Sequence, residues 1–396
     1  MMTSLVDGLV ILLAILLTVA VLPGSLYLAL LSLAGLRRRV PPEDAPALPG
    51  PLAIVVPAHN ESAGIARTVD NLVAITQQDG HATVCVIADN CNDDTAAIAA
   101  AHGARVLVRQ NPVERGKGYA LDFAFRSLAA DGFAGYIVID ADSLAEPNLL
   151  QVIRRHFATG ATVVQTRYTV LNAEQSPRTQ LAELALSAFN CLRPRGRHAL
   201  GWSAGILGNG FALRSEVLEA VPYSATSVVE DLEYHLKLIA AGHRVHFADD
   251  TTVRGDMPVA GAGQKTQRAR WEGGRLRMLL DHAGPLMSRV LRGEGRFLEP
   301  LADLMLLPLA YHSVLLMILA LLPLPWAHLL GLTGLAILGC HVLIAARVGG
   351  MTAGQIGGIL LYLPRYIFWK LAMVASIVRA SKSSTQWVRT DRDKAP

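Results

Sequence analysis

The sequence predicts an α/β protein: a doubly wound, mostly parallel sheet in a cytosolic domain, set between N- and C-terminal transmembrane helices. Three observations lead there. Between residues 40 and 297, short continuous runs of β-branched residues alternate with stretches of helical length. Nearly all the charge sits in that interval, whereas both flanks contain long uncharged apolar tracts. Only 17% of the 396 residues are charged and 52% are hydrophobic, with mean hydropathy +0.36; a soluble globular protein carries about 25% charged residues. The same figures exclude disorder, because low charge and high apolar content drive collapse. The net charge of +4 is too mild for the concentrated basic face of a nucleic-acid partner. Cys85, Cys91, Cys191 and Cys340 show no metal-ligand spacing and read as thiols of a reducing compartment.

The first element is an anchor. No charged residue lies between Asp7 and Arg37, and Leu9 to Leu36 is rich in Leu, Val, Ala and Ile. About 20 apolar residues span a bilayer, so this tract suffices with some tilt. A cleaved signal peptide would want a basic residue ahead of the apolar run, yet Asp7 precedes it and Arg37-Arg38-Arg39 follow. Basic residues after a span favour the cytoplasmic side. Residues 1–39 therefore read as an uncleaved anchor with its N-terminus outside. Pro41-Pro42 and the prolines from Pro46 to Pro51 form a stiff linker into the domain.

Strands are expected at Ala53–Val56, Ala82–Ala88, Arg105–Val108, Tyr136–Ile139 and Thr162–Val164. Their apolarity is continuous rather than alternating, which means cover on both faces, as in a parallel sheet. Ser62–Thr76 and Tyr119–Ala130 have the length and periodicity of crossover helices.

Beyond residue 297 the chain turns apolar again. Leu304 to Ala346 contains no Asp, Glu, Lys or Arg over 43 positions, about 65 Å of helix, or roughly two hydrocarbon thicknesses. Pro323-Leu324-Pro325 punctuates it, so residues 304–346 read as a hairpin of two spans. The segment 352–378 is interrupted by Pro364, Arg365 and Lys370, and residues 381–396 form a basic tail. A cytoplasmic tail needs an even number of further crossings. The segment is therefore expected to be interfacial or re-entrant, with Arg365 and Lys370 snorkelling; a plain third span is the alternative.

What ends the strands is the informative feature. The first runs into Pro57-Ala58-His59-Asn60-Glu61, the second into Asp89-Asn90, and the fourth into Asp140-Ala141-Asp142. Parallel strands present their carboxyl ends along one edge, where open α/β sheets bind ligands. Asp and Asn are also common caps and turn residues, but three clusters on one edge are harder to explain that way. Asp140 and Asp142 share a face in extended chain and could address one hard cation, since Mg²⁺ takes one or two carboxylates plus substrate phosphates. Arg115-Gly116-Lys117-Gly118 would let backbone amides and Lys117 approach a phosphate, or form a solvated turn. Glu230-Asp231 complements a helix dipole or supplies a general base. Gln267-Arg268-Ala269-Arg270-Trp271 offers guanidinium groups for a diphosphate and an indole platform for a sugar; alternatively Arg268, Arg270, Arg275 and Arg277 form the basic face of an interfacial helix.

Taken in order, these motifs resemble the family-2 inverting glycosyltransferases of GT-A fold, and within them the membrane-embedded branch of cellulose, hyaluronan and chitin-oligosaccharide synthases. The resemblance covers roughly residues 50 to 280 and the flanking spans. It implies that His59, Glu61 and Asp89 hold the nucleotide and Lys117 its diphosphate. It implies that Asp140 and Asp142 serve the donor and its Mg²⁺ or Mn²⁺, Asp142 being the more direct ligand. Asp231 would be the catalytic base, and Glu230, Gln267, Arg270 and Trp271 would bind diphosphate and acceptor. Asn209, within Leu207-Gly208-Asn209-Gly210-Phe211, would stand on the acceptor side. Asp89-Asn90-Cys91 departs from the Asp-Asp-Gly of many relatives.

The implied activity is transfer from a UDP-hexose or UDP-N-acetylhexosamine to a glycan, building a β-linked polymer or oligomer. Single transfer to a membrane lipid, as in ceramide glucosyltransferases or on polyprenyl phosphate, is the first alternative, and an inactive scaffold the second. The expected organisation is an anchor (1–39), a cytosolic catalytic domain (40–297), a membrane region (298–380) and the basic tail. The protein would be integral to the inner or plasma membrane, with membrane lipid and export or envelope-assembly proteins as partners.

Overall fold

The computed structural model describes residues 2–43, 47–224, 227, 229–257 and 262–382; side chains of 2–4 and 262–267 are outside that description. The expected linker prolines are thus described except Pro46, and all but the first two residues of the basic tail lie outside the described residues. Helix α1 (Met2–Ala34) leads to β1 (Leu52–Ala58), α2 (Ile65–Asp79), β2 (Ala82–Asp89), α3 (Thr95–Ala101) and β3 (Arg105–Arg109). There follow α4 (Lys117–Leu128), β4 (Gly135–Val138), β5 (Ser143–Ala145), α5 (Leu149–Ala158) and β6 (Val163–Val170). Next come α6 (Pro177–Leu186), α7 (Arg193–Ala199), β7 (Phe211–Arg214), α8 (Ser215–Ala220), α9 (Glu230–Ala240) and β8 (Val245–Gly255). The C-terminal helices are α10 (Ala262–Leu291), α11 (Leu298–Met305), α12 (Leu309–Leu321), α13 (Pro325–Val348), α14 (Ala353–Ala372) and α15 (Val374–Lys382).

The sheet runs β3-β2-β1-β4-β7-β6-β8-β5. Strands β3, β2, β1 and β4 are mutually parallel, as is the β6–β8 pair. β7 is antiparallel to both its neighbours, and β5 is antiparallel to β8. The expected parallel sheet is therefore mixed in its second half. The apolar runs are covered twice, as their continuity required. Leu52, Ile54 and Val56 pack with Ile65, Val69 and Leu72 of α2 and Ile153 of α5. Ala53 and Val55 face Leu121 and Phe125 of α4 and Leu238 of α9. At about 25 cal/mol per Å² of apolar surface removed from water, these two layers dominate the stability of the domain.

Among the described residues two single helices are long and apolar enough to cross a membrane, Leu5–Ala34 and Pro325–Val348. One side of α1 buries Ala14, Val21, Leu28 and Leu31 with Leu316, Leu319 and Leu338. Its other side leaves Leu9, Leu12, Leu16, Val19, Leu26 and Leu33 exposed, a strip that only lipid or another apolar surface can satisfy.

The hairpin expected at 304–346 differs from two plain spans. Its first arm, α12, has 13 residues, about 20 Å, short of a hydrocarbon thickness. It reaches spanning length only together with α11, across a 78° bend. In 352–378, α14 continues through Pro364 and meets α15 at 43°. Lys370 does not snorkel: it is buried and ion-paired with Glu272 of α10, so α14 clamps the helix that follows the sheet.

Candidate active site

The carboxyl ends of β1, β2 and β4 meet where the strand order reverses around β1, the crevice in which open α/β sheets take ligands. Asn60 and Asn90 make the turns there with φ of 56° and 51°, left-handed values that Asn adopts more readily than most residues. His59 Nδ1 lies 2.7 Å from the carbonyl oxygen of Asp89. Arg109, which faces Asp89 in the parallel register, donates to its carboxylate at 2.8 Å and to Glu114 O at 2.8 Å. Asp89 is thus a buried, paired acid rather than a free one, and no sequence pattern pointed to its arginine.

Gly116, at φ 119°, lets α4 begin directly at Lys117. Lys117 Nζ is held by Asp140 and donates to Gly208 O at 2.5 Å. The acidic loop is fixed from beneath. Asn209 Oδ1 accepts from Asp140 N at 3.1 Å, Asn209 Nδ2 donates to Ser143 Oγ at 2.8 Å, and Ser143 Oγ donates to Asp142 Oδ1 at 3.1 Å. Gln165 Nε2 holds Asn209 O at 2.7 Å. Asn209 therefore supports the acids; it is 1% exposed and does not reach an acceptor side.

Glu230 and Asp231 are the first two residues of α9, so they meet the helix dipole and the site at once. Gly208, at φ 79°, brings its Cα so close that an added Cβ would stand 3.3 Å from Asp231 Oδ2. One glycine thus touches both the lysine that binds Asp140 and the acid across from it. Burial pushes Glu230 up to about 7, helped by the neighbouring Asp231 charge. Burial likewise raises Asp231, against the pull of Leu232 N–H and Lys117. Burial disfavours the Lys117 charge, but Asp140, Glu230 and Asp231 outweigh it and raise the pKa. Arg270 is lowered by burial despite Glu230 and Asp140 nearby.

One cavity of about 1780 Å³ gathers these groups. His59, Glu61, Asp89, Lys117, Asp140, Asp142, Glu230, Asp231, Arg270 and Trp271 all line it. The side chain of Gln267 lies outside the described residues. The arginines of α10 do not form one basic face: Arg268 donates to Tyr366 OH at 3.1 Å, Arg275 to Asp303 Oδ2 at 3.0 Å, and Arg277 pairs with Asp281 at the surface. Among the described residues no group of three or more His, Cys, Asp or Glu is placed to hold a metal alone. Two carboxylates in a cavity wall fit a hard cation that takes its other ligands from phosphate and water.

This sheet and its acidic carboxyl edge are the GT-A architecture. The family described as "Glycosyltransferase like family 2" matches residues 49–274, more than half of the sequence, and the chain belongs to it. A probable glycosyltransferase, YdaM, of Bacillus subtilis is 24% identical over 240 residues, 58% of this chain and 56% of that protein. A beta-monoglucosyldiacylglycerol synthase of Trichormus variabilis is 27% identical over 240 residues, 58% of this chain and 50% of that protein. The chain thus spans about half the length of these curated relatives. The solved mannosyltransferase PcManGT of Pyrobaculum calidifontis, in complex with GDP-Man and Mn2+, shares the fold with a TM-score of 0.54 at 19% identity, covering 94% of this chain and 97% of that one.

Proposed function

We propose that the protein transfers a single sugar from a nucleotide-sugar donor, a UDP-hexose or UDP-N-acetylhexosamine, to a hydroxyl of a membrane lipid with inversion. The observation that supports this reading is the continuity of the cavity. Past Asp231 and Trp271 it runs between α11, α12, α13 and α14, along Leu306, Met317, Leu335, Leu338, Ile359 and Leu363. A hydroxyl-rich polymer gains little from such walls, whereas an acyl chain gains about 0.8 kcal/mol per buried methylene. The cavity thus favours the lipid acceptor over the polymer-forming branch that the motif series resembles.

In this reading His59, Glu61 and Asp89 bind the nucleotide, Lys117 and Arg270 the diphosphate, and Trp271 the sugar face. Asp231 accepts the proton of the acceptor hydroxyl, whose oxygen attacks the anomeric carbon as the bond to the diphosphate breaks. The negative charge that leaves with the nucleotide is met by Arg270 and Lys117. Mg²⁺ or Mn²⁺ at Asp140 and Asp142 would add charge stabilisation of the departing diphosphate. The organisation that goes with it is an anchor over 1–39, a catalytic domain over 40–297 on the cytosolic side, and a membrane region over 298–380.

The test is purified protein in nanodiscs, given UDP- and GDP-sugars with Mg²⁺ or Mn²⁺, with products read by mass. One glycolipid bearing one added sugar is expected. Asp231→Asn should bind nucleotide as before and lose transfer. A ladder of oligomers would overturn the lipid assignment, and near-normal turnover by Asp231→Asn would remove the base.

A further inference from the structure

We propose that the lipid acceptor carries a phosphate group, and that Arg193 receives it inside the cavity. This deepens the lipid-acceptor reading and rests on it. Arg193 opens α7, is 5% exposed, and lines the same cavity as Asp231 and the apolar helices. Its Nε is buried without a hydrogen-bond partner. The carboxylate it approaches, Asp303 Oδ1, stays 3.9 Å from Nη1, beyond hydrogen-bond range.

The surrounding carboxylates are already committed. Asp303 is paired with Arg197 and accepts from Arg275 at 3.0 Å. Glu299 accepts from Tyr27 OH at 2.6 Å and lies 2.5 Å from Arg197 Nε. Arg197 also donates to Tyr27 OH at 3.0 Å and to Ala204 O at 3.1 Å. Three guanidinium groups against two carboxylates leave one positive charge over, and the geometry assigns it to Arg193. A buried cation whose nearest carboxylate is 3.9 Å away and already shared by two other arginines is under-compensated, so its place on a cavity wall points to an anion that enters the cavity.

The local backbone is built for this residue. Ser187–Leu192 forms a π-helical turn directly before Arg193. Pro194 lacks the N–H that would bond to the carbonyl of residue 190, which accounts for the wide turn; such turns recur at functional sites. Phe189 in that turn lies against Arg193 and Arg275, its ring centroid 5.1 and 5.7 Å from their guanidinium carbons, within cation–π range of both. A planar fork of donors suits the paired oxygens of a phosphate. The donor diphosphate already has Lys117 and Arg270, so the Arg193 position, continuous with the apolar stretch of the cavity, falls to the acceptor headgroup.

The experiment measures retention of dilauroyl phosphatidic acid against dilauroylglycerol by the full-length protein in neutral detergent, with native mass spectrometry as readout. Wild type should retain the phosphate lipid about 10- to 100-fold better, as loss of charge-assisted hydrogen bonds implies. Arg193→Gln should erase the preference, Arg193→Lys should restore part of it, and UDP affinity should stay constant throughout. Equal retention of the two lipids by wild type would overturn the proposal, as would a preference that survives in folded Arg193→Gln. Displacement of the phosphate lipid by inorganic phosphate or UDP at comparable concentration would also overturn it, by assigning the arginine to free phosphate or to the donor. Should Arg193→Gln fail to fold, competition on wild type decides: dodecyl phosphate must displace bound lipid where dodecanol does not. Failure of the lipid reading itself would look different, with neither lipid retained and an oligomer ladder as product.

Discussion

Glu230 and Asp231 stand side by side in a partly water-excluded wall, and that placement sets how the site responds to pH. Burial disfavours the charged form of each, and Glu230 reaches about 7. A base must be unprotonated to act, so activity is lost as pH falls through the raised value and retained above it. If Asp231 is the base, wild-type kcat/KM should fall on the acid side with a limb above the ordinary aspartate range, by about tenfold per pH unit once the carboxylate is protonated. Glu230→Gln should move that limb to lower pH, still above the ordinary aspartate range. A wild-type acid limb at or below the ordinary aspartate value would contradict the environment described. The acids themselves were legible in the sequence, because each follows a strand or opens a helix, and topology alone brings such positions together. Their partners were not. Arg109, Gly208 and Arg193 owe their roles to packing between elements far apart in the chain. The same holds for Asn209, whose buried amide braces the acidic loop instead of facing an acceptor.

At the scale of elements, the docking of α1 onto the domain depends on how closely two backbones approach. A Cβ on Gly196 of α7 would stand 2.4 Å from the carbonyl oxygen of Leu31. Arg38, just past α1, adds a hydrogen bond to Asp249 O of β8 at 2.8 Å. Gly196→Val should force the helices apart and cost about 1–3 kcal/mol, the usual range for overpacking. The measurement is thermal unfolding in detergent, with Gly8→Val as control, since a Cβ at Gly8 meets nothing within 4 Å; equal melting of the two variants would refute the close-contact account. Elements with strong apolar signatures were readable from sequence: β1, β2, β3, β4, β6 and the crossover helices. β7 hides behind Gly208-Asn209-Gly210, and β8 carries Asp249 and Asp250 midway. Those acids look like loop residues until Arg195 and Arg155 pair with them at 2.8 and 2.6 Å. The short arm α12 likewise had no signature, because a bend between apolar helices leaves composition unchanged.

For the whole molecule, the sheet edge and the apolar helices share one cavity, so under the proposed function chemistry at Asp231 and the choice of acceptor chain become separable properties. Gly339 of α13 lines the apolar end, and a Cβ there meets nothing within 4 Å. The Cβ of Gly339→Trp is therefore free of backbone clash, and an indole built from it can narrow that end. Lys117 and Asp140, the proposed donor contacts, belong to the sheet domain and not to α13. Removing room for two methylenes forfeits about 1.6 kcal/mol, close to tenfold in affinity. The variant should accordingly lose about tenfold or more in kcat/KM toward a long-chain acceptor while keeping its rate on a short-chain analogue and its affinity for UDP. Parallel assays on acceptors differing only in chain length check this. If both acceptors suffer alike, the apolar end of the cavity is not where the chain lies, and the proposed lipid route fails.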